Sequence, residues 1–320
     1  MKKSQTYYDS SDSDLNSDSD SDLNSNRKKQ VKMDKQDQDT QHQKNHKLLE
    51  ACKLGDSNAV EEMLKNGADP HAKSQTMGFS GLMLACIYGH LSVVTILVDK
   101  KVDLFQRNEN GHTAFICAAG YGHLDILKKL LAAGANLNEQ DSFGNTALMW
   151  ATIKNQSKAV DFLIEQGAQK EVISTLGYTA LILSARYNAM DAFEVLYKKG
   201  ANIDSVVERN GYTALIYAAR HGNLYIMEQL LSLGANKEIK EKEGLNYLEV
   251  AFNFGQLDIV SSHIAEFIRL KKHEELHEEW QEACLEEGIG SKRMPTVRFS
   301  EKKPANLENA KTQKSNNLTI

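Results

Sequence analysis

The chain has 320 residues, enough for about two ordinary domains, and 41% of its residues are hydrophobic. Its formal net charge of −5 excludes a bulk polycation that binds nucleic acid by neutralising phosphates. The sequence contains neither an uncharged apolar run of roughly 18 residues that could span a bilayer nor an apolar signal-peptide core at its start. We therefore expect a cytoplasmic protein, with the nucleus as a second compartment, and neither export nor membrane insertion. The four cysteines lie far apart, which favours reduced thiols: Cys52, Cys86, Cys117 and Cys284.

Residues 1–47 form a polar arm that we expect to be disordered. Seven of these residues are hydrophobic, and nine basic side chains balance nine acidic ones. Burial of so little apolar surface cannot offset the entropy cost of ordering. Six aspartates are set among serines and asparagines over residues 9–22, and a basic cluster follows from Arg27 to Lys35. The arm is either a solvated mixed-charge tail or a kinase substrate at the serines of its acidic part.

An internal repeat occupies residues 48–272. Glycines recur at positions 78, 111, 144, 177, 211 and 244, in steps of 33, 33, 33, 34 and 33 residues. From the second to the fifth of these glycines, a threonine follows two residues later, where its hydroxyl can cap the start of a helix. A small residue recurs seven positions after each glycine, which predicts close packing between helices of neighbouring units. A Gly or Asn recurs eleven positions after each glycine and should close the helix with a positive φ.

The second half of each unit shows the 3.6-residue periodicity of a helix, as in Leu124, Ile126, Leu127, Leu130 and Leu131. Each unit is therefore predicted to be helix, turn, helix and a connecting hairpin. The cysteines of the repeats should be small core residues. His90 and His123 follow the turn glycine, and we interpret them as structural caps of the second helix.

Blocks such as GYTALIYAARHGN and endings such as LLSLGAN resemble ankyrin repeats. The resemblance implies an all-α fold, an ankyrin-repeat solenoid of helix-turn-helix units with β-hairpin loops, flanked by disordered tails. It covers about 225 residues in seven units, which start near residues 46, 75, 108, 141, 174, 208 and 241. The typical first-helix proline and the histidine after it are absent, which the fold should tolerate. One extra residue in each of 68–77 and 201–210 should fall in a hairpin.

The resemblance also implies a concave groove, formed by the hairpin tips and the exposed side of the first helices. Aromatic and arginine side chains dominate protein interfaces because they bury a large area at modest entropy cost. The predicted partner-binding residues are Phe79, Tyr88, Tyr121, Tyr178, Arg186, Tyr187, Tyr212, Arg220, His221 and Phe254. The alternative is that these side chains only shield the groove. The leading functional prediction is a non-catalytic scaffold that binds one or more proteins there, without a cofactor, a metal or nucleic acid.

Residues 273–288 are predicted to form an acidic amphipathic helix. Leu276, Trp280 and Cys284 lie on one stripe at i, i+4 spacing, which should cap the repeats or pair with a partner helix. The segment from His273 to His277 also matches HExxH, the pattern of zinc hydrolases. This match is the third and weakest functional alternative, because the region is rich in Glu and His and few residues follow it.

Residues 289–320 form a basic tail that we expect to be disordered. Basic residues before Val297 and Phe299 resemble the docking peptide by which regulators bind type 1 protein phosphatase as an added strand. Ankyrin arrays occur in the targeting subunits of myosin phosphatase, although there the motif precedes the repeats. The alternative function is therefore a targeting subunit that recruits a phosphatase through its tail.

Overall fold

The computed structural model describes residues 40–263, which consist of α-helices joined by loops, with isolated β-bridges in the loops. Seven consecutive helix pairs account for this part of the chain. The helices are α1 (residues 40–54), α2 (Ser57–Lys65), α3 (Gly81–Tyr88), α4 (Leu91–Asp99), α5 (Ala114–Gly120), α6 (Leu124–Ala132), α7 (Ala147–Ile153), α8 (Ser157–Glu165), α9 (Ala180–Tyr187), α10 (Met190–Lys198), α11 (Ala214–Arg220), α12 (Leu224–Ser232), α13 (Tyr247–Asn253) and α14 (Leu257–Ser262).

The helices pack in two layers. From α3 to α13, each odd-numbered helix packs on the next odd-numbered one, and from α2 to α12 the even-numbered helices form a second row behind them. The predicted row of small residues lies where the odd-numbered helices meet, and every member is fully buried. Its members are Ala85, Ala118, Ala151, Ser184, Ala218 and Ala251. The prediction of close helix packing at this position is confirmed.

Threonine hydroxyls start the first helix of the third to sixth pairs, as the sequence predicts. The Thr146 side chain accepts a hydrogen bond of 3.3 Å from the Met149 amide, and Thr113, Thr179 and Thr213 do the same in their own units. The first helices end at residues with positive φ, from Gly89 at 79° to Asn155 at 53°. These residues turn the chain directly into the second helix.

The structure corrects our interpretation of His90 and His123, because neither side chain caps its own helix. Each imidazole instead reaches back to the preceding unit. The Nε2 atom of His90 lies 2.9 Å from the Lys53 carbonyl oxygen, and that of His123 lies 3.1 Å from the Ile87 carbonyl oxygen. A β-carbon on Gly89 would come within 2.6 Å of the His123 ring. The turn glycine thus provides both a positive φ and the space for the histidine of the next unit.

Both inserted residues lie in hairpins, as expected. Four hairpins close with a backbone hydrogen bond between residues four apart, such as the 2.9 Å bond from the Asp141 amide to the Asn145 carbonyl. The two hairpins with an extra residue close across five, from Ser74 to Phe79 and from Val207 to Tyr212. The turn accommodates the additional residue, and the helices on either side keep their positions in the repeat.

The first helix includes residues 40–47, which composition alone assigned to the disordered arm. Gln41 donates a 3.0 Å hydrogen bond to the Gly67 carbonyl, and Asn45 accepts a 2.9 Å bond from the Asp69 amide. These polar contacts hold the start of α1 against the loop after α2, so the helix does not depend on apolar burial there. The remaining arm, the acidic segment 273–288 and the basic tail lie outside the described residues.

Candidate protein-binding groove

Three rows of side chains, each with one member in every unit from the second to the seventh, line one side of the odd-numbered helices. The turn row precedes each turn residue: Tyr88, Tyr121, Lys154, Tyr187, His221 and Phe254. The hairpin row follows each hairpin glycine: Phe79, His112, Asn145, Tyr178, Tyr212 and Leu245. The helix row lies in the middle of each first helix: Leu84, Cys117, Trp150, Leu183, Tyr217 and Val250. At the first units, a cavity of about 820 Å³ is lined by members of all three rows, namely Phe79, Leu84, Tyr88 and Tyr121.

The turn row is the exposed part of the groove. Tyr88, Tyr121, Tyr187 and Phe254 are each about half exposed, with exposed fractions between 48% and 52%. One part of a half-exposed aromatic ring packs against the protein, and the other part contacts solvent. Such a ring is already ordered before a partner binds. These four side chains are therefore accessible to a partner.

The hairpin row lies deeper than the sequence suggests. Phe79 is half-buried, whereas Tyr178 and Tyr212 retain only 6% and 8% of their exposure. Their burial has a physical cause, since the fully buried Tyr217 of the helix row lies between them. Its ring centre is 5.6 Å from that of Tyr178 and 5.0 Å from that of Tyr212. We call these three residues the tyrosine cluster.

Hydrogen bonds hold the tyrosine cluster together. The Tyr217 hydroxyl accepts a 3.0 Å bond from the Asn210 side chain and lies 3.4 Å from the Tyr178 hydroxyl. Burial, together with the contact with Tyr178, raises the pKa of Tyr217 to about 12. The Tyr217 phenol is therefore neutral over the physiological range, and the cluster forms a base for the side chains above it.

Two arginines rest on this aromatic base at equivalent positions of neighbouring units. The guanidinium of Arg186 lies 5.1 Å from the ring centre of Tyr178 and donates a 2.5 Å hydrogen bond to its hydroxyl. The guanidinium of Arg220 lies 4.1 Å from the ring centre of Phe254 and 5.5 Å from that of Tyr212. Aromatic faces attract a cation without neutralising it, so both charges are retained.

Within residues 40–263, neither arginine forms an ion pair with a carboxylate. The neighbouring His221 stacks on Tyr217, with ring centres 6.2 Å apart and planes inclined by 8°. Partial burial and the charges of Arg186 and Arg220 lower the pKa of His221. We name Arg186, Arg220 and His221 the arginine site.

The middle of the groove contains a second polar and aromatic group that the sequence did not single out. Trp150 donates a 2.7 Å hydrogen bond to the buried carboxylate of Asp141, and its ring packs edge-on against His112 at 4.8 Å. Burial would raise the pKa of Asp141, but the contact with His112 at 3.4 Å and hydrogen bonds from Trp150 and two backbone amides outweigh it, and the pKa is lowered. Trp150 and Tyr217 occupy the same repeat position as Cys117. The replacement of a small residue by large aromatic residues at this position is the signal in the sequence that could have identified this group.

The other candidate chemistry has little support in the described residues. Burial raises the pKa of Cys52 and Cys117 to about 12, and that of Cys86 well above its ordinary value, so these thiols are unreactive core residues. Among residues 40–263 there is no cluster of three or more His, Cys, Asp or Glu side chains that could hold a metal ion. The HExxH segment and the pair Val297 and Phe299 lie outside this part of the chain. None of the helices in this part of the chain combines the length and the apolar character needed to cross a membrane.

Comparison with known proteins agrees with this architecture. A family model of ankyrin repeats matches the chain in three copies, over residues 48–141, 118–207 and 201–262. A stretch of 69 residues, 22% of the chain, is 35% identical to the 2-5A-dependent ribonuclease of Mus musculus, and the match covers 9% of that protein, within its repeats. Ankyrin repeats generally mediate protein–protein interaction and are generally non-catalytic. The chain belongs to the ankyrin-repeat family.

Proposed function

We propose that this protein is a non-catalytic scaffold that binds a partner protein through the groove formed by the turn row, the helix row and the hairpin row. The observation that carries the proposal is the turn row, where four of six units present a half-exposed aromatic side chain on a rigid helix end. Aromatic anchors that are already ordered contribute contact area at little entropy cost, which is the property of interface hot spots.

The groove offers two different regions to a partner. Near its first units, Phe79, Tyr88 and Tyr121 line the 820 Å³ cavity together with His42 and His46 of α1. Near its fifth and sixth units, the groove carries the arginine site on the tyrosine cluster. A partner that spans both regions would place apolar side chains in the first and anionic groups on the second.

A groove variant tests the proposal directly. In Tyr88→Ala/Tyr121→Ala/Tyr187→Ala, only half-exposed rings of the turn row are truncated, so the fold should be retained. The matched control is Phe105→Ala/Tyr197→Ala/Tyr225→Ala, whose rings are 50%, 37% and 41% exposed but lie outside the three rows. Both variants and the wild-type chain are used for affinity purification with quantitative mass spectrometry. A partner so identified is then titrated against each purified chain.

We expect the groove variant to lose at least one partner that the control retains. Hot-spot truncations typically cost about 2 kcal/mol each, so the dissociation constant should rise by roughly a hundredfold or more. Thermal unfolding of both variants establishes that they are folded. Retention of every partner by a folded groove variant would remove the groove from consideration as the binding surface.

Phosphatase docking through Val297 and Phe299 stays a prediction from the sequence. The family match ends at residue 262 and does not include the tail. Co-purification of a type 1 phosphatase catalytic subunit with the wild-type chain, but not with Val297→Ala/Phe299→Ala, would support a targeting role. Equal recovery with both chains would argue against docking at this motif.

A further inference from the structure

We infer that the acidic segment of this chain itself, residues 9–22, binds the arginine site and thereby competes with partners for the groove. The inference goes beyond partner binding, because it assigns an occupant to one part of the groove and a form of self-regulation to the protein. The inference depends on the charges of the arginine site, on the composition of the arm, and on the distance between the arm and the arginine site.

The arginine site has unused capacity for anions. The guanidinium of Arg220 stacks on Phe254 and Tyr212, and none of its N–H groups bonds to an acceptor within residues 40–263. Arg186 donates one N–H group to the Tyr178 hydroxyl. Its guanidinium also lies against the rings of Tyr187 and Tyr217, which hold the guanidinium plane in place. Guanidinium groups form their strongest hydrogen bonds with carboxylates and phosphates. Two such groups, one unit apart and without an ion pair to a carboxylate of residues 40–263, suit a ligand with several anionic groups in sequence.

Residues 9–22 provide such a ligand. The segment DSSDSDLNSDSDSD has six aspartates, and no Lys, Arg or His occurs between Lys3 and Arg27. Consecutive aspartates are two to four positions apart, so neighbouring carboxylates can meet the two guanidinium groups without one unique register. Such repeated weak engagement raises the local concentration of anions at the site.

The connection is long enough for the segment to reach the site. The 18 residues from Asp22 to Thr40 span up to about 60 Å when extended. The arginine site lies on α9 and α11, and α11 is five odd-numbered helices along from α1. At helix spacings of roughly 8–10 Å, α11 is about 40–50 Å from α1. The segment can therefore bind the arginine site of its own chain. A separate partner must compete with the high effective concentration of this tethered segment.

The test uses the full chain and a labelled peptide. In the first protein, the arm-neutral chain, all six aspartates of residues 9–22 are replaced by Asn, so that its own arm no longer competes. The probe is a fluorescein-labelled peptide of residues 9–22, and binding is followed by anisotropy at low salt. We expect the arm-neutral chain to bind the probe on the order of tenfold more tightly than the unmodified chain, whose arm occupies the site.

Variants of the arginine site locate the binding. In the arm-neutral chain, Arg186→Gln/Arg220→Gln should weaken probe binding by on the order of tenfold or more, since each arginine supplies charge-assisted hydrogen bonds. The matched control, Lys128→Gln/Lys198→Gln, removes the same charge from exposed positions on the even-numbered helices and should leave binding unchanged. The variant Arg186→Lys/Arg220→Lys keeps both positive charges and leaves the residues of the tyrosine cluster unchanged. Because lysine lacks the planar set of donors of a guanidinium, this variant should bind the probe with intermediate affinity.

Equal probe binding by the unmodified and the arm-neutral chains would overturn the inference, because the arm would then not occupy the site. Equal losses in the arginine and lysine double variants would also overturn it, since attraction would then be a property of total charge. Either failure leaves the proposed partner groove intact, because that proposal depends on Tyr88, Tyr121 and Tyr187. Conversely, retention of all partners by the groove variant would leave the probe measurements unaffected.

Discussion

The guanidinium carbon of Arg220 lies 4.1 Å from the ring centre of Phe254, across the junction between the sixth and seventh units. This contact joins neighbouring units through a cation and an aromatic ring at the groove surface. We expect Arg220→Ala and Phe254→Ala to be coupled by about 0.5–1 kcal/mol in the free energy of unfolding, the range for a partly exposed cation–π pair. Urea unfolding of the two single variants and the double variant measures the coupling. The pair Arg186→Ala and Phe254→Ala is the control, and coupling of similar size there would contradict the assignment.

Gly89 should be much less tolerant of alanine than Gly67. Both have positive φ, 79° and 82°, so both substitutions pay a backbone cost of roughly 1–2 kcal/mol. Only at Gly89 would the new β-carbon also meet the His123 ring, at 2.6 Å, whereas nothing lies within 4 Å at Gly67. The free energy of unfolding should therefore fall further for Gly89→Ala.

The double variant Gly89→Ala/His123→Ala separates strain from steric overlap. Removal of the imidazole relieves the clash, so the double variant should lose less stability than the sum of its two single variants. Strict additivity would show that backbone strain alone explains the effect at Gly89. Chemical denaturation of all four chains supplies the numbers.

The three cysteines of the repeats should react with a thiol reagent only when the protein unfolds. Burial raises the pKa of Cys52 and Cys117 to about 12, so their thiolate fraction near pH 8 is very small, and reagents cannot reach them. The experiment uses Cys284→Ser, so that every remaining thiol belongs to the repeats. We expect no rapid reaction of the folded chain and three equivalents in denaturant. A fast-reacting thiol in the folded chain would contradict the packing of the first helices.

Stability should decrease at alkaline pH partly through Tyr217. Its pKa is raised from 10.0 to about 12 in the folded chain, so the unfolded chain loses the phenolic proton first. The contribution is present below pH 10 and is lost as the pH rises through about 12. Tyr217→Phe should reduce this decrease, and near pH 7 it should cost about 1 kcal/mol through the lost Asn210 hydrogen bond. Unfolding curves at several pH values give both quantities, and an unchanged alkaline slope would exclude this role.

The regular features of the fold could be predicted because each depends on one residue type at one repeat position. The Thr146 cap, the buried Ala151 and the positive φ of Asn155 all follow from local chemistry and a fixed spacing. The turn-row aromatics could likewise be placed at the surface, since their position in the unit determines their exposure.

Features that depend on contacts between units were not predictable in the same way. The sequence places Tyr178 and Tyr212 on the groove, but their burial is caused by Tyr217, whose position in the helix row looks like ordinary core. The polar start of α1 is ordered by a loop about 25 residues away, through Gln41 and Asn45, and composition carries no signal for such a contact. Single-residue patterns therefore predict the units, and pairs of units determine the groove.

The turn residues make each junction between units selective for the side chain or backbone group that follows. The space beside Gly89 is filled by His123, whereas Gly122 and Gly222 are filled by the glutamines Gln156 and Gln256. At the turn that follows Gly122 in the chain, Asn155 takes the place of the glycine, and its side chain accepts a hydrogen bond from the Ala192 amide. Each junction thus uses one of a few complementary fits: His fills the space beside Gly55 and Gly89, and Gln fills it beside Gly122 and Gly222. Exchange of units between junctions of the same kind would preserve both the 33-residue period and the fit, whereas exchange between a His junction and a Gln junction would preserve the period but mismatch the contact.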